Sequence, residues 1–272
     1  MVKLSASISV QYDNAFSPFT GSEWEAGLEW VEHCGFEGAE LIISDPKLVD
    51  ADKIAAKLER VGLKASTIST GQAMGLEGLS MTAASEYLRE HTRKRLFEDI
   101  DFSVLLGRPN VTIGLIRGRG SITNRSMEHD LLKRELLAVA EYALQKSVVL
   151  NLEPINRYEC SLLNSTDSAV SFLEEIGDPP NVGILYDTFH SNIEDVDMKE
   201  TVERNIGRIS NVHLADSNRR LPGEGHIDFK SIFEVLNRNG YSGYAALEIL
   251  NLPSREHIQE YAAMRIGAIT KG

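Results

Sequence analysis

The sequence predicts one closed (β/α)8 barrel, with residues 1–272 forming a single domain. Three observations carry this. Eight short β-branched or apolar runs alternate with amphipathic stretches of helical spacing. Several of the runs are apolar without alternation, as in strands covered on both faces. No Pro/Gly/Ser-rich linker divides the chain, and its length suits one large α/β barrel as well as two ordinary domains. A doubly wound sheet is the alternative architecture. It would carry a glycine-rich turn after the first strand, and QYDNAFSPF has none.

The strands are expected at 4–10, 38–43, 64–69, 110–115, 147–153, 182–187, 210–215 and 244–249. Each is followed by a helix. The first helix starts at Ser22, with Glu25 completing a capping box, and stops at Gly35. The second follows Asp50 and ends at Gly62, and the others run over about 85–106, 126–146, 166–176, 197–207, 228–239 and 254–270. Gly107 and Gly177 stand where helix C-termini favour a left-handed residue. Segment 70–84, TGQAMGLEGLSMTAA, reads as an extended loop over the barrel mouth, and it contains no phosphate-binding GxxxxGK[ST] pattern.

Composition narrows the function. Hydrophobic residues make up 42% and charged residues 25%, which suits a water-soluble chain with a sizeable core. The formal net charge of −12 repels phosphate backbones, so nucleic acid and anionic membranes are excluded as partners. Two distant cysteines, Cys34 and Cys160, are expected to be free thiols in a reducing cytoplasm. Neither an export signal nor a membrane span is read from the sequence.

The chemistry collects at strand ends. In such barrels, functional side chains project from the C-terminal ends of the strands. The last polar residues of strands five to eight are Glu153 in VVLNLE, Asp187 in VGILYD, His213 in SNVHLAD and Glu248 in YAALEIL. Three carboxylates and an imidazole on one rim repel each other unless a divalent cation lies between them. Mixed O/N ligation of this kind suits Mn2+, Co2+, Mg2+ or Zn2+. Singly, each has a plainer reading: Asp187 as a helix cap, His213 as a satisfied core histidine. His190, Arg219 and Glu159 stand a few residues past Asp187, His213 and Glu153, within reach of a substrate, or are ordinary loop residues. Arg117 and Arg119 in LIRGRG are either a solvated loop or a fork for a substrate carboxylate or phosphate.

The stretches LEPINRYE, GILYDTFHSNIED, HLADSNRRLPGEGHIDF and ALEIL resemble the xylose isomerase-like sugar phosphate isomerase/epimerases, and within them the ketose 3-epimerases. The resemblance extends over nearly the whole chain. It implies one divalent metal ion, Mn2+ by preference, on Glu153, Asp187, His213 and Glu248. It also implies sugar contacts from Glu159, His190 and Arg219, and a homodimer or homotetramer. The implied substrate is a small sugar or sugar acid. Inversion at C3 would then run through a metal-held cis-enediolate, with Glu153 and Glu248 as the acid/base pair on opposite faces. The arginines of LIRGRG and the STGQ after strand three look more like a subgroup acting on keto-sugar acids, which makes Arg117 a candidate substrate contact. An aldose–ketose isomerase or a dehydratase on the same barrel is the alternative activity.

Overall fold

The computed structural model describes residues 2–270, and its strands close into a barrel in the order β1 to β8, with β8 pairing back to β1. The elements are β1 (Lys3–Ser9), α1 (Trp24–His33), β2 (Gly38–Ile42), α2 (Ala51–Val61), β3 (Lys64–Ser69), α3 (Gly71–Glu77), α4 (Glu86–Leu105) and β4 (Asn110–Ile113). They continue with α5 (Arg125–Gln145), β5 (Leu150–Leu152), α6 (Thr166–Glu175), β6 (Val182–Asp187), α7 (Thr188–Glu194) and α8 (Met198–Asn205). The last are β7 (Ile209–Leu214), α9 (Phe229–Arg238), β8 (Tyr244–Leu247) and α10 (Arg255–Thr270). All neighbouring pairs are parallel. The (β/α)8 barrel read from the sequence is the observed fold. Among the described residues no helix is long and apolar enough to cross a membrane.

Most of the apolar core lies between the strands and the surrounding helices, where Leu28, Leu41, Leu96, Leu136 and Val212 are fully buried. The barrel axis itself is polar. Glu40 on β2 reaches His213 on β7, and Asn110 on β4 reaches Ser210 on β7. Those strands are not neighbours, so the contacts pass through the interior.

Three local expectations need correction. The capping box belongs to Thr20 and Glu23, ahead of a short 3-10 turn, and Glu25 instead pairs with Lys53 at 2.7 Å. Gly21 decides between these overlapping signals: a Cβ there would sit 2.5 Å from the Gln11 carbonyl oxygen, so the chain must turn at that point. Segment 70–84 is not wholly extended, because it contains α3. That helix is tied down by Glu77, which accepts from Arg95 at 2.7 and 3.0 Å and from Ser44 Oγ at 3.1 Å. Likewise α7 begins directly after β6, so His190 lies on a helix and not on a loop.

Arg117 also departs from both of its expected roles. Its side chain is fully buried, and its guanidinium donates to the carbonyls of Glu153, Leu162 and Leu163 at 3.2, 2.8 and 3.3 Å. It is neither a solvated loop residue nor an open substrate fork, since the side chain is sealed from solvent and three of its five N–H donors go to backbone. What it does is pin the chain after β5 against the turn after β4. Arg119 is exposed and donates to Glu159 O at 3.2 Å.

Arg117→Met should cost about 3 kcal/mol in chemical denaturation, because the carbonyls of Glu153 and Leu162 lose this donor while Leu163 O keeps only the Ile155 N–H. Arg119→Ala should stay within about 0.5 kcal/mol. Asp99 in α4 is buried with both carboxyl oxygens unpartnered, and burial pushes its pKa well above the usual range. A carboxyl with a raised folded pKa favours the fold while protonated, and that contribution is lost as pH rises towards the folded pKa. Asp99→Asn should therefore match the wild type below about pH 4 and exceed it at pH 7–8. The expected gain is on the order of 1 kcal/mol, or about 2–4 °C in Tm.

Candidate active site

Each of the four strand-end donors is placed by backbone geometry. Glu153 stands one residue beyond β5, its N–H still donating to Ile113 O at 3.2 Å. Glu248 follows β8 in the same way, its N–H donating to Leu214 O at 3.3 Å. Gly114 makes room for Glu153: a Cβ there would lie 2.2 Å from Glu153 Oε2. Asp187 ends β6 and caps α7, with Oδ1 accepting from the N–H groups of Phe189 and His190 at 2.7 and 3.3 Å. Its capping role uses one oxygen and leaves Oδ2 for the cluster.

One ligand atom from each of Glu153, Asp187, His213 and Glu248 lies within 4.8 Å of all the others. His213 Nδ1 is 3.4 Å from Glu248 Oε2, 3.7 Å from Glu153 Oε1 and 4.0 Å from Asp187 Oδ2, yet it has no hydrogen-bond partner. His213 is thus half satisfied: Nε2 meets Glu40 Oε2 at 2.9 Å, while Nδ1 faces the carboxylates. An orphaned buried nitrogen amid three carboxylates is a donor set that fits a divalent cation of mixed O/N preference.

The electrostatics tell the same story. Burial, together with the neighbouring Glu248 and Asp187 charges, pushes the Glu153 carboxyl up to about 8. Burial would also raise Asp187, but Arg219, His190 and His213 bring it down to about 2. Glu248 is lowered as well, since His213 and Arg219 outweigh its burial. His213 is raised: burial opposes its charge, but Glu40 and Glu248 overcome that. Burial thus works against charge on Glu153, while the carboxylates around His213 favour charge there.

The remaining candidates gather around this centre. Arg219, at φ 59°, donates from Nη1 to Asp187 Oδ2 at 3.0 Å and to Glu248 Oε2 at 3.1 Å. Its guanidinium is sandwiched between the rings of Phe16 and Phe189, at 5.3 and 4.1 Å. His190 Nε2 lies 3.0 Å from Arg219 Nη2, and Glu159 Oε1 stands 3.9 Å from His190 Nδ1. Arg117 meets the group only through the backbone carbonyl of Glu153. A cavity of about 400 Å³ opens beside the cluster, with Asp13, Gln72, Glu153 and Glu248 among its polar lining and Phe16 and Leu76 on its apolar side. Among the described residues, Arg219 is the cation paired with the cluster, and no Lys or Arg lines the cavity.

Sequence reasoning missed Glu40 and the two phenylalanines. Glu40 carried a usable signal: GAELI embeds an acid in an apolar strand, the pattern that singled out Glu248 in AALEIL. Phe16 and Phe189 carried none, because an aromatic in a loop or helix is ordinary.

Comparison with known proteins places the chain among families of this fold. Residues 28–265 match the model of the family described as "Xylose isomerase-like TIM barrel". An L-ribulose 3-epimerase of Mesorhizobium japonicum is 32% identical over 231 residues, covering 84% of this chain and 75% of its own. A 3-dehydro-D-guloside 4-epimerase of Escherichia coli is 25% identical over 231 residues, covering 81% and 85%. A solved structure of L-ribulose 3-epimerase superposes with a TM-score of 0.85 at 27% identity, covering 100% of this chain and 95% of its own. The protein is an enzyme, an isomerase of the carbohydrate epimerase type. The chain belongs to the xylose isomerase-like TIM barrel family, among its ketose 3-epimerases.

Proposed function

We propose that the protein inverts C3 of a neutral ketose, using Glu153 and Glu248 as the proton-transferring pair around a divalent metal ion. The observation that carries this reading is the placement of the two carboxyls: Glu153 follows β5 and Glu248 follows β8, and their oxygens stand 3.7 and 3.4 Å from His213 Nδ1 within the four-donor cluster. Their surroundings differ in the same sense as unequal starting roles: burial and neighbouring carboxylates raise Glu153, while His213 and Arg219 lower Glu248.

Glu153, Asp187, His213 and Glu248 would hold the metal, and Mn2+ is our first choice for three carboxylates and one imidazole. When bound, it supplies Lewis acidity to the carbonyl and counter-charge for the oxygen of an enediolate. The chain does the rest. Glu248, held by Arg219 and His213, removes the proton on one face of C3. Glu153 returns a proton on the other face and so inverts the carbon. Arg219, stacked on Phe16 and Phe189 with His190 Nε2 accepting from its Nη2, donates to the sugar oxygens, and Glu159 accepts from a hydroxyl. Phe16 and Leu76 give the cavity an apolar side that keeps water from the reacting carbon.

A neutral substrate fits this cavity better than a sugar acid. Asp13, Glu153 and Glu248 line it, no Lys or Arg among the described residues does, Arg219 beside it is already paired to Asp187 and Glu248, and Arg117 is committed to backbone. A carboxylate at the far end of the sugar would meet like charge without a counter-ion.

The test is solvent exchange followed by NMR. In D2O with Mn2+, a ketose such as L-ribulose should gain deuterium at C3, whereas an aldose–ketose isomerase would label C1 or C2. Glu153→Gln and Glu248→Gln should each lower kcat by about 100- to 10,000-fold. Label at C1 or C2, or full activity in both variants, would overturn the reading. In a substrate screen, neutral ketoses should exceed keto-sugar acids in kcat/KM by about tenfold or more, equivalent to about 1.4 kcal/mol. A preference for acids would return the search to a cationic contact outside this cavity.

A further inference from the structure

We propose that Glu40 is a positioning residue for the metal: it holds His213 with Nε2 protonated and turned down the barrel axis, so that Nδ1 offers its lone pair to the cation. The inference rests on the metal reading above and extends it to a residue outside the four-donor set. Glu40 lies on β2, across the barrel from β7, and is fully buried. Its Oε2 is 2.9 Å from His213 Nε2, and its Oε1 accepts from Ser7 Oγ at 3.1 Å. Ser7 is its register partner on β1, so the serine anchors the carboxylate on the adjacent strand.

An ionised carboxylate only accepts hydrogen bonds, so its contact with Nε2 requires the proton there. In neutral imidazole the other nitrogen then carries the lone pair. That nitrogen is Nδ1, which lacks a hydrogen-bond partner and stands within 4.0 Å of oxygens from Glu153, Asp187 and Glu248. Metal-ligating histidines commonly donate their second N–H to a carboxylate, which fixes the tautomer and the ring orientation. Among the described residues, His213 is Glu40's only ionisable partner within 4.0 Å. A buried acid is costly to keep unless it is paired, and this one is paired to the imidazole alone. An apolar residue would fill β2 just as well if packing were its whole purpose.

The experiment titrates Mn2+ into metal-free wild type, Glu40→Gln and Ser7→Ala, in competition with a chelator, and records metal-free Tm for each. The expected result is that Glu40→Gln binds Mn2+ about 10- to 100-fold more weakly. Ser7→Ala should weaken binding in the same direction by less. The visible band of the Co2+ form should shift in Glu40→Gln, as the imidazole loses its fixed orientation. Wild-type affinity in Glu40→Gln would overturn the proposal. So would a loss of affinity that merely tracks a loss of metal-free stability. If Glu40→Gln fails to fold, Ser7→Ala carries the same comparison, and unchanged binding there overturns it. A wild type that binds neither Mn2+ nor Co2+ would overturn the metal reading itself. A wild type that binds while the variants bind equally well would overturn only the role of Glu40.

Discussion

Three carboxylates and an imidazole are crowded at one end of the barrel, and the rest of the site is arranged around the repulsion this creates. Placing like charges a few ångströms apart in a buried site is strongly unfavourable unless something positive lies among them. The described residues answer from several directions. Arg219 bridges Asp187 and Glu248, the α7 N-terminus takes the other oxygen of Asp187, and Glu40 faces the imidazole from below. What these partners leave over is Glu153, which burial and neighbouring carboxylates make a poor anion, and His213 Nδ1, which has no hydrogen-bond partner. A divalent cation in their midst would satisfy both.

The architecture makes such crowding reproducible. Strand ends place Cα atoms rigidly, so donors on four successive strands converge without relying on loops. The parts that do rely on loops are clamped. Arg117 binds the chain after β5 through three carbonyls, and Arg95 fixes α3 beside the cavity through Glu77. Both arginines are buried, so their donors go to fixed acceptors and not to solvent. Preorganised donors and acceptors of this kind spare a reacting site the cost of rearranging during the reaction.

How much of this was legible in the sequence depended on the range of the interaction. The barrel was legible because it repeats: β-branched runs and amphipathic stretches alternate eight times, and each repeat supports the next. The four donors were legible because strand ends are local features with a known common direction. Arg117 was misread because a charged residue in RGRG looks solvated. Its three carbonyl partners come from a segment far along the chain, and no local pattern announces them. The capping box failed for a subtler reason. T-x-x-E at Thr20 and S-x-x-E at Ser22 overlap, and the choice is made by the close approach of Gly21 to Gln11, which is tertiary. The helix α3 was hidden by the glycines of TGQAMGLEG, which read as a breaker until Glu77 is seen tied to Arg95.

The unequal environments of Glu153 and Glu248 raise a further point about reversibility. Epimerisation runs in both directions through one set of groups, so each carboxyl must serve as acid in one direction and base in the other. A fixed gap between their proton affinities would favour one direction of transfer and slow the other. The gap arises because Arg219 and His213 stand nearer Glu248, while Glu153 faces mainly other carboxylates. A cation held by both would lower Glu153 more than Glu248, since Glu153 is the group without a positive partner in hydrogen-bond contact. In the proposed mechanism the asymmetry of the protein and the charge of the metal would therefore act in opposite senses, and their balance would let two glutamates on strands five and eight exchange roles.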